Sequence, residues 1–507
     1  MNDTQATLEA LKSAQANPLP DSISKAYTQS GSATSGLTMY DLEAGAKTLY
    51  PVNTPLRNMI TRVNGGMGIQ ANWRVVTGIN PQNIGIGIGE GKRGYEMGQT
   101  VEDRLAKFVG LGLNNSVTFE ADYAAVGFDD IKARAAKDLL QAVMVQEEFL
   151  DYAGNGTLAL GTTPTPTLVA NTTGGSLGAS LAINVFAVAL TQTGFQQLAG
   201  FNNGTSGQVV NLATAALSAT FTRTDIGDGT TQIVAGGVAR KSAVATVTTS
   251  VGTTNSIAAT VSPVTGAFGY AWFYGIAGSE VLGALTSINS AVFTATATGT
   301  QNISVLPATD NSADSTVYDG ILSQILKSGS GSYVKALNTG VAGVGSSLTS
   351  DGAGGIVEIE DALLSFYNLY RLSPDIMFVS ANVQRQINKL IIANGGAPLI
   401  RYAGELNGNS GMSAGTVVNS YLNKVTGTAL KIVVHPNAAL GTIMFYSTSV
   451  PYPVSDVGSI VIKKLRKEYH QIVWPLRSRK YEFGVYFNGV LQNYFPPAFG
   501  LIYNIAA

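Results

Sequence analysis

A chain of 507 residues is too long for one ordinary hydrophobic core, and with 45% apolar residues it can fill two or three. Charged residues make up only 12% and the net charge is -1, which argues against a dedicated nucleic-acid binder and against a chain held open by charge. The lack of cysteine excludes disulfides, thiol catalysis and thiolate metal sites, and two histidines, His435 and His470, leave little for a zinc or iron centre.

So low a charge content keeps a chain soluble only weakly, and implies that much of its surface is covered by other chains. The N-terminal stretch carries acids and no apolar h-region, so no secretory signal is expected there. No apolar run approaches the roughly 20 residues of a membrane span. Ala6, Leu8, Leu11 and Ala14 have helical spacing, which Pro18 and Pro20 end. The polar stretch that follows has too little apolar content to fold alone, so residues 1–45 read as an arm that lies on a neighbour. Residues 46–62 are a mixed connection with Pro51 and Pro55 bracketing a turn.

Residues 63–115 are crowded with glycine, and alternation appears around Trp73–Val75 and through Ile84, Ile86 and Ile88. This predicts a long two-stranded excursion with a glycine-rich tip, and VTFE (117–120) returning the chain as a strand. An isolated hairpin is marginal in water, so one this long implies a partner surface. Residues 128–152 predict the clearest helix of the chain, a rod of roughly 35–40 Å. Its apolar stripe is Ile131, Ala135, Leu139, Val143, Phe149 and Leu150, and Asp129 and Asp130 sit at the positive end of the helix dipole.

Composition then shifts. Between Leu160 and Asp310 the charged residues are Arg223, Asp225, Asp228, Arg240, Lys241, Glu280 and Asp310. Short alternating runs with turn signals between them predict an all-β sandwich, with Trp272 and Tyr274 on a strand suited to an inter-sheet position. Beyond 310 the pattern is α/β: helices at 315–328, 358–372 and 381–395, and strands at 375–380, 430–436 and 442–447. Long alternating strands close the chain.

Motifs that resemble chemistry fail on context. Gly89–Gly94 fits G-x-G-x-x-G, but no helix opens after it, so a flexible tip is expected. Gly174–Gly178 fits the nucleophile elbow, yet it lies in a Thr/Gly-rich strand run far from either histidine. Asn155, Asn171, Asn203 and Asn302 match glycosylation acceptors by chance in a Thr-rich sequence. His435 and His470 are expected to be structural. Lys463, Lys464, Arg466, Lys467, Arg477, Arg479 and Lys480 form one basic cluster, which is open to three readings: facing nucleic acid, pairing with a neighbour's acids, or a solvated sheet face. No catalytic, cofactor-binding or metal-ligating residue is expected, and the chain is read as not an enzyme.

The order arm, glycine-tipped excursion, long helix, helix–strand–helix region and β-rich closing region resembles the Hong Kong 97-type fold of tailed-bacteriophage major capsid proteins. The segments 165–191 and 269–295 look like the immunoglobulin- or fibronectin-type inserts that some of them carry. The resemblance implies an α+β fold divided as follows: N-terminal arm 1–45, connection 46–62, extended loop 63–115, first peripheral part 116–159 with a spine helix at 128–152, inserted all-β sandwich 160–310, axial domain 311–440 and second peripheral part 441–507. It implies a virion subunit, assembled in the host cytoplasm, that forms hexamers and pentamers of an icosahedral shell around double-stranded DNA. Its partners would be itself, a separate scaffolding protein, a portal, decoration proteins and packaged DNA touched non-specifically, with no membrane and no cofactor. In that family neighbouring subunits can be joined covalently; Lys92 and Lys107 lie in the loop concerned, and no acceptor is singled out. The alternatives are an encapsulin-type compartment shell, which the large insert disfavours, and a surface adhesin module, which the α/β regions disfavour.

Overall fold

The computed structural model describes Lys12 and residues 52–79, 87–94, 96–126, 129–199, 212, 214–225, 227–394, 417–452 and 455–506. The expected arm (Lys12 apart), residues 80–86 of the excursion and the Asn203 motif lie outside them. The chain falls into two units, residues 1–51 with 117–134, and residues 52–116 with 135–507.

Within the described residues the chain begins with α1 (Pro55–Met59), β1 (Thr61–Val63), β2 (Gln70–Ile79), β3 (Gln99–Lys107), β4 (Val109–Thr118), α2 (Phe119–Ala125) and α3 (Ile131–Ala153). Next come β5 (Thr167–Asn171), β6 (Ala182–Leu190), α4 (Gln192–Ala199), β7 (Thr220–Thr224), β8 (Thr231–Ala235), β9 (Ala245–Thr248), β10 (Ser256–Thr260), β11 (Gly269–Gly275), β12 (Val281–Thr286) and β13 (Ser290–Phe293). The last part holds α5 (Ile321–Leu326), β14 (Tyr333–Ala336), α6 (Val357–Tyr370), β15 (Ile376–Val379), α7 (Ala381–Asn394), β16 (Ser420–Leu422), β17 (Ala429–Val434), β18 (Ile443–Tyr446), β19 (Val461–Val473), β20 (Lys480–Asn493) and β21 (Gly500–Tyr503). The architecture is mixed α and β.

The expected strand VTFE is split. Thr118 Oγ1 accepts the Ala121 amide at 3.3 Å, and Glu120 and Asp122 occupy the first turn, so Phe119 opens a helix instead of extending β4. In the same unit Asp130 Oδ1 accepts the Ala133 amide at 3.0 Å, which starts α3 at Ile131, and Lys132 pairs with Asp122 at 2.8 Å.

In the larger unit a six-stranded sheet runs β14-β21-β18-β15-β17-β16. Met377, Phe378, Phe445 and Ile502 from its strands share one buried cluster with Leu363 and Phe366 of α6 and Val383 of α7. The division expected at 440 is corrected here. β18 and β21 lie beyond it, yet β18 pairs antiparallel with β15, and β21 pairs with β14 and β18. These long-range pairings keep 311–440 from closing on itself. A second sheet, β1-β19-β20-β4, contains the longest ribbon: Val461–Val473 faces Asn493–Phe483, with register irregularities between Leu465 and Lys467 and between Lys467 and His470.

The helix expected over 315–328 shrinks to Ile321–Leu326. Asp314 Oδ1 holds a turn through the Thr316 amide at 2.9 Å and hydroxyl at 2.8 Å. Gly320 then presses on the end of α3, its amide donating to Gly154 O at 2.8 Å, and a Cβ on either glycine would strike the backbone opposite.

Within 160–310, strands order as β13-β10-β5 in one sheet and β12-β11-β6-β9 in another. Ile257, Ala259 and Phe293 from the first share a buried cluster with Val185, Ala187 and Trp272 from the second. Trp272 Nε1 donates to Thr286 Oγ1 at 2.9 Å, satisfying its one polar atom. An all-β reading of this stretch is corrected by α4, whose Phe195 and Leu198 pack with Val188 and Phe273. β7 and β8 join neither sheet; they pair with each other alone.

Nor is this stretch free of the rest. Asn289 and Asn504 exchange hydrogen bonds, the Asn289 amide to Asn504 Oδ1 at 2.9 Å and Asn504 Nδ2 to Asn289 Oδ1 at 3.0 Å, and both are buried. Gln192 Nε2 reaches Asn437 O at 3.1 Å, and Arg477 donates to Gly227 O. Removing one Asn leaves several buried polar groups unpaired at once. Asn289→Ala is expected to cost about 2–3 kcal/mol, and to speed hydrogen exchange around Val261 and Leu337, as read by mass spectrometry against wild type.

Candidate interaction surface

The C-terminal half of α3 organises its surroundings through acids, not through the apolar stripe expected of it. Leu139 and Val143 are buried as foreseen, but the same four-residue step continues into Glu147 and Asp151, both buried, while Phe149 and Leu150 are only half-buried. Glu148 is buried too. A helix C-terminus disfavours acids, and buried carboxylates demand partners, so three of them in the last two turns need cations or hydrogen-bond donors from elsewhere.

Glu148 supplies the cap that α1 lacks. Its two oxygens accept the amides of Leu56 at 2.9 Å and Arg57 at 2.6 Å. Its third partner is His435 Nε2 at 2.6 Å, and the Asn437 amide donates to His435 Nδ1 at 3.1 Å. With Nδ1 accepting, Nε2 carries the hydrogen and donates to Glu148. His435 is thus a buried link between α3 and the end of β17, stacked on Tyr152 at 4.4 Å.

Glu147 accepts from Arg57 Nε at 2.8 Å, Arg62 Nη1 at 2.7 Å and the Tyr469 hydroxyl, with Lys463 Nζ at 3.5 Å. Arg62 also forks onto Glu468, its Nη2 2.6 Å from Oε1. Glu468 and Tyr469 are consecutive on β19 and would normally face opposite ways. The irregularity between Lys467 and His470 lets both serve the same cluster. Asp151 accepts from Tyr318 Oη at 2.6 Å and from Lys463 Nζ. Burial pushes the Asp151 carboxyl up to about 6, against the pull of Lys463. Burial also raises Glu147, but Lys463, Tyr469 and Arg62 outweigh it and hold this carboxyl below its usual range.

This hub fixes α1 and β1, and β1 runs parallel to β19 from Thr61 beside Ile462 to Val63 beside Lys464. From there the chain leaves as a ribbon. The expected excursion of 63–115 narrows to β2 and β3, because Phe108 and Val109 are buried in the main core and β4 joins β20. The Phe108 amide donates to Ile69 O at 3.1 Å and closes the ribbon's base. Trp73 Nε1 and Arg104 Nη1 anchor the inner face on Asn493 O at 3.1 Å and Tyr494 O at 2.8 Å.

The opposite face carries Val76 directly across from Val101, the pair Arg74–Asp103 at 2.5 Å, and Leu105, which is 65% exposed. Met67, Ile69, Ile79, Ile88 and Met97 are exposed as well. So many exposed large apolar side chains on one slender element are the signature of a surface meant to be covered.

The other residues singled out from sequence lie elsewhere. Gly89–Gly94 is an exposed turn, with the Lys92 amide donating to Gly89 O at 3.0 Å. In Gly174–Gly178, Ser176 Oγ meets the Thr294 carbonyl at 3.3 Å, and His435 and His470 have their partners on α3 and β19. The basic cluster divides: Lys463 is buried in the hub, whereas Arg466, Lys467, Arg477 and Arg479 are exposed and Lys480 pairs with Glu482 at 2.9 Å. Among the described residues no group of three or more metal-binding side chains occurs, and no helix is long and apolar enough to cross a membrane. Sequence reasoning missed Glu147, Glu148, Asp151, Arg57 and Arg62; the signal present was three acids crowded at the wrong end of a helix.

No protein-family model matches the sequence, and no curated protein is similar to it. Among solved structures, the capsid of Myoviridae Phage XM1 is similar over 91% of this chain and 95% of that chain, at 9% identity and a TM-score of 0.40. The capsid of a native GTA particle is similar over 93% and 96%, at 9% identity and a TM-score of 0.38. The SrpI encapsulin of Synechococcus elongatus aligns over 37% of this chain and 57% of its own, at 10% identity and a TM-score of 0.23.

Because Glu147 is held below the usual glutamate value of 4.5, the folded state favours its ionised form. The stability it contributes is complete above that value and is lost as pH falls through the lowered one. Glu147→Gln is expected to cost about 3–5 kcal/mol at neutral pH, since it leaves buried cations uncompensated. Urea midpoints taken from neutral pH into the acid range should show a flatter acid limb for the variant.

Proposed function

We propose that this chain is the major capsid protein of a tailed double-stranded DNA bacteriophage, a subunit that assembles with copies of itself into the hexamers and pentamers of an icosahedral shell. The observation that carries this reading is the β2–β3 ribbon. It is anchored by Trp73 and Arg104 at its base and bears Val76, Val101 and Leu105 uncovered on its outer face. Repeated around a closed symmetric ring, such a ribbon lies on the next copy and buries what one subunit leaves open. The hub supports the same reading, because it gives the ribbon a rigid origin.

On this reading residues 1–45 are the arm and β2–β3 with their connection the extended loop. α3 is the spine helix of a peripheral domain built on the β1-β19-β20-β4 sheet. The six-stranded sheet with α6 and α7 forms the axial domain, drawing strands from both sides of 440. Residues 160–310 are an inserted immunoglobulin-like sandwich, supported by two antiparallel sheets of three and four strands that share a Trp272-centred core. Its basic residues are only Arg223, Arg240 and Lys241, which favours the outer face of the shell over the DNA side. Exposed Arg466 and Lys467 are available for non-specific contact with DNA. Scaffolding, portal and decoration proteins are the partners this role calls for.

Purified chain, alone or with a scaffold, should form capsomers or closed particles in sedimentation and electron microscopy. A stable monomer under both conditions would contradict the proposal. Val101→Asp with Leu105→Asp should leave circular dichroism and the unfolding midpoint nearly unchanged while particle yield falls at least about tenfold, since each introduced charge is buried at every repeat of the contact.

The placement of the insert has its own check. Val251 lies on an exposed turn between β9 and β10, 89% accessible. An epitope tag inserted there should bind antibody on intact particles; binding only after disruption would put the insert inside.

A further inference from the structure

One pair in the hub has little reason to stay ionic. Lys463 and Asp151 side chains are each 1% exposed, and Nζ donates directly to the Asp151 carboxyl. Glu147 stands 3.5 Å from the same Nζ, on the turn of α3 before Asp151. Tyr318 donates its hydroxyl to Asp151 Oδ1 at 2.6 Å, and its ring lies 3.9 Å from Nζ. Phe487 walls the other side, 5.5 Å from Nζ to its ring centre. A nucleophile, an acyl group, a second carboxylate and a hydrogen-bond donor therefore meet in a site from which water is excluded.

We propose that Lys463 and Asp151 join in an intramolecular isopeptide bond, formed by the chain itself once α3 and β19 have packed together. One proton passes from the ammonium to the Asp151 carboxylate across the hydrogen bond they already share, giving an amine beside a carboxylic acid. A dry site favours that neutral pair over two charges. The Nζ lone pair attacks Cγ and charge builds on Oδ2, while Tyr318 stays hydrogen-bonded to Oδ1, the oxygen that has taken the proton. The N–C bond forms, and Glu147 takes the proton that nitrogen gives up and passes it to the departing hydroxyl. The Cγ–O bond breaks and one water leaves, so that an amine and an acid become an amide and water. Nothing is oxidised or reduced, and no co-reactant is needed.

Three features fit this assignment beyond proximity. Burial raises the Asp151 carboxyl to about 6, which brings the acid form that the attack requires closer to neutral pH. Glu147 is fixed by Arg57, Arg62 and Tyr469, so its oxygen stays aimed at Nζ. The reaction removes one positive and one negative charge together, and Glu147 keeps Arg57, Arg62 and Tyr469 as partners. The inference rests on the hub alone and is independent of what the chain assembles into.

The decisive measurement is made on the unaltered full-length chain. Its intact mass under denaturing conditions is expected to fall one water below the sequence mass, and proteolysis should release a branched peptide joining Lys463 to Asp151. Because the linked positions lie 312 residues apart, the chain becomes a large loop and should migrate differently on a denaturing gel from Lys463→Arg, which keeps the charge but has no amine to acylate. Glu147→Gln is expected to remain mostly unlinked over the time in which wild type is complete. The full sequence mass, with Lys463 and Asp151 recovered on separate unbranched peptides after prolonged incubation of folded protein, would overturn the proposal. So would a water loss that maps to any other pair.

Discussion

A helix that buries three carboxylates in its last two turns cannot be packed piecemeal. Each acid of α3 leaves water only when its partner arrives, and the partners come from five places: α1, β1, the loop at Tyr318, the end of β17 and the strand β19. An unpaired charge in that position costs several kcal/mol. The intermediate arrangements are therefore poor, and the complete one is set apart from them. The apolar clusters on either side give most of the driving force, but they would tolerate small shifts of one element over another. The hub does not, and so it fixes register.

This explains a tension in the composition. A chain with so few charges might be expected to keep them all on its surface. Instead Glu147, Glu148, Asp151 and Lys463 are buried, and Arg57 and Arg62 are largely so. The surface is poorer in charge than the sequence suggests, and on the ribbon it is openly apolar. Placing cations where they orient the origin of the ribbon, and apolar residues where the ribbon meets its surroundings, assigns rigidity to the base and attraction to the far face. The exposed ion pair Arg74–Asp103 lies across the two strands, where it helps hold their pairing.

What was legible in the sequence follows the range of the interactions involved. The short strands between 160 and 310, such as β6, β10 and β11, announce themselves, because alternation and turn residues are local. The long helix shows for the same reason. The split of VTFE turned on one hydroxyl, Thr118, capping a helix of 7 residues that is too short to show a period. The pairing of β21 with β14 and β18 joins residues far apart in the chain, so a boundary drawn at 440 on local texture could not see it. The hub was hidden most completely: Glu147 looked like a polar helix face because its partners Arg62 and Tyr469 are 85 and 322 residues away.

The β19–β20 ribbon carries a consequence of its own. From Val461 opposite Asn493 to Val473 opposite Phe483, thirteen residues of one strand face eleven of the other, so β19 holds two extra residues at its irregularities. Extra residues on one side of a ladder bend it and tighten its twist without changing which side chains pair beyond them. The direction in which the ribbon points is therefore written in chain length, not in side-chain chemistry. Loss of the unpaired Arg466 would preserve every pair on either side and still re-aim everything distal to it. The ribbon thus has a dial, one residue wide, for changing its angle while the rest of the fold stays put.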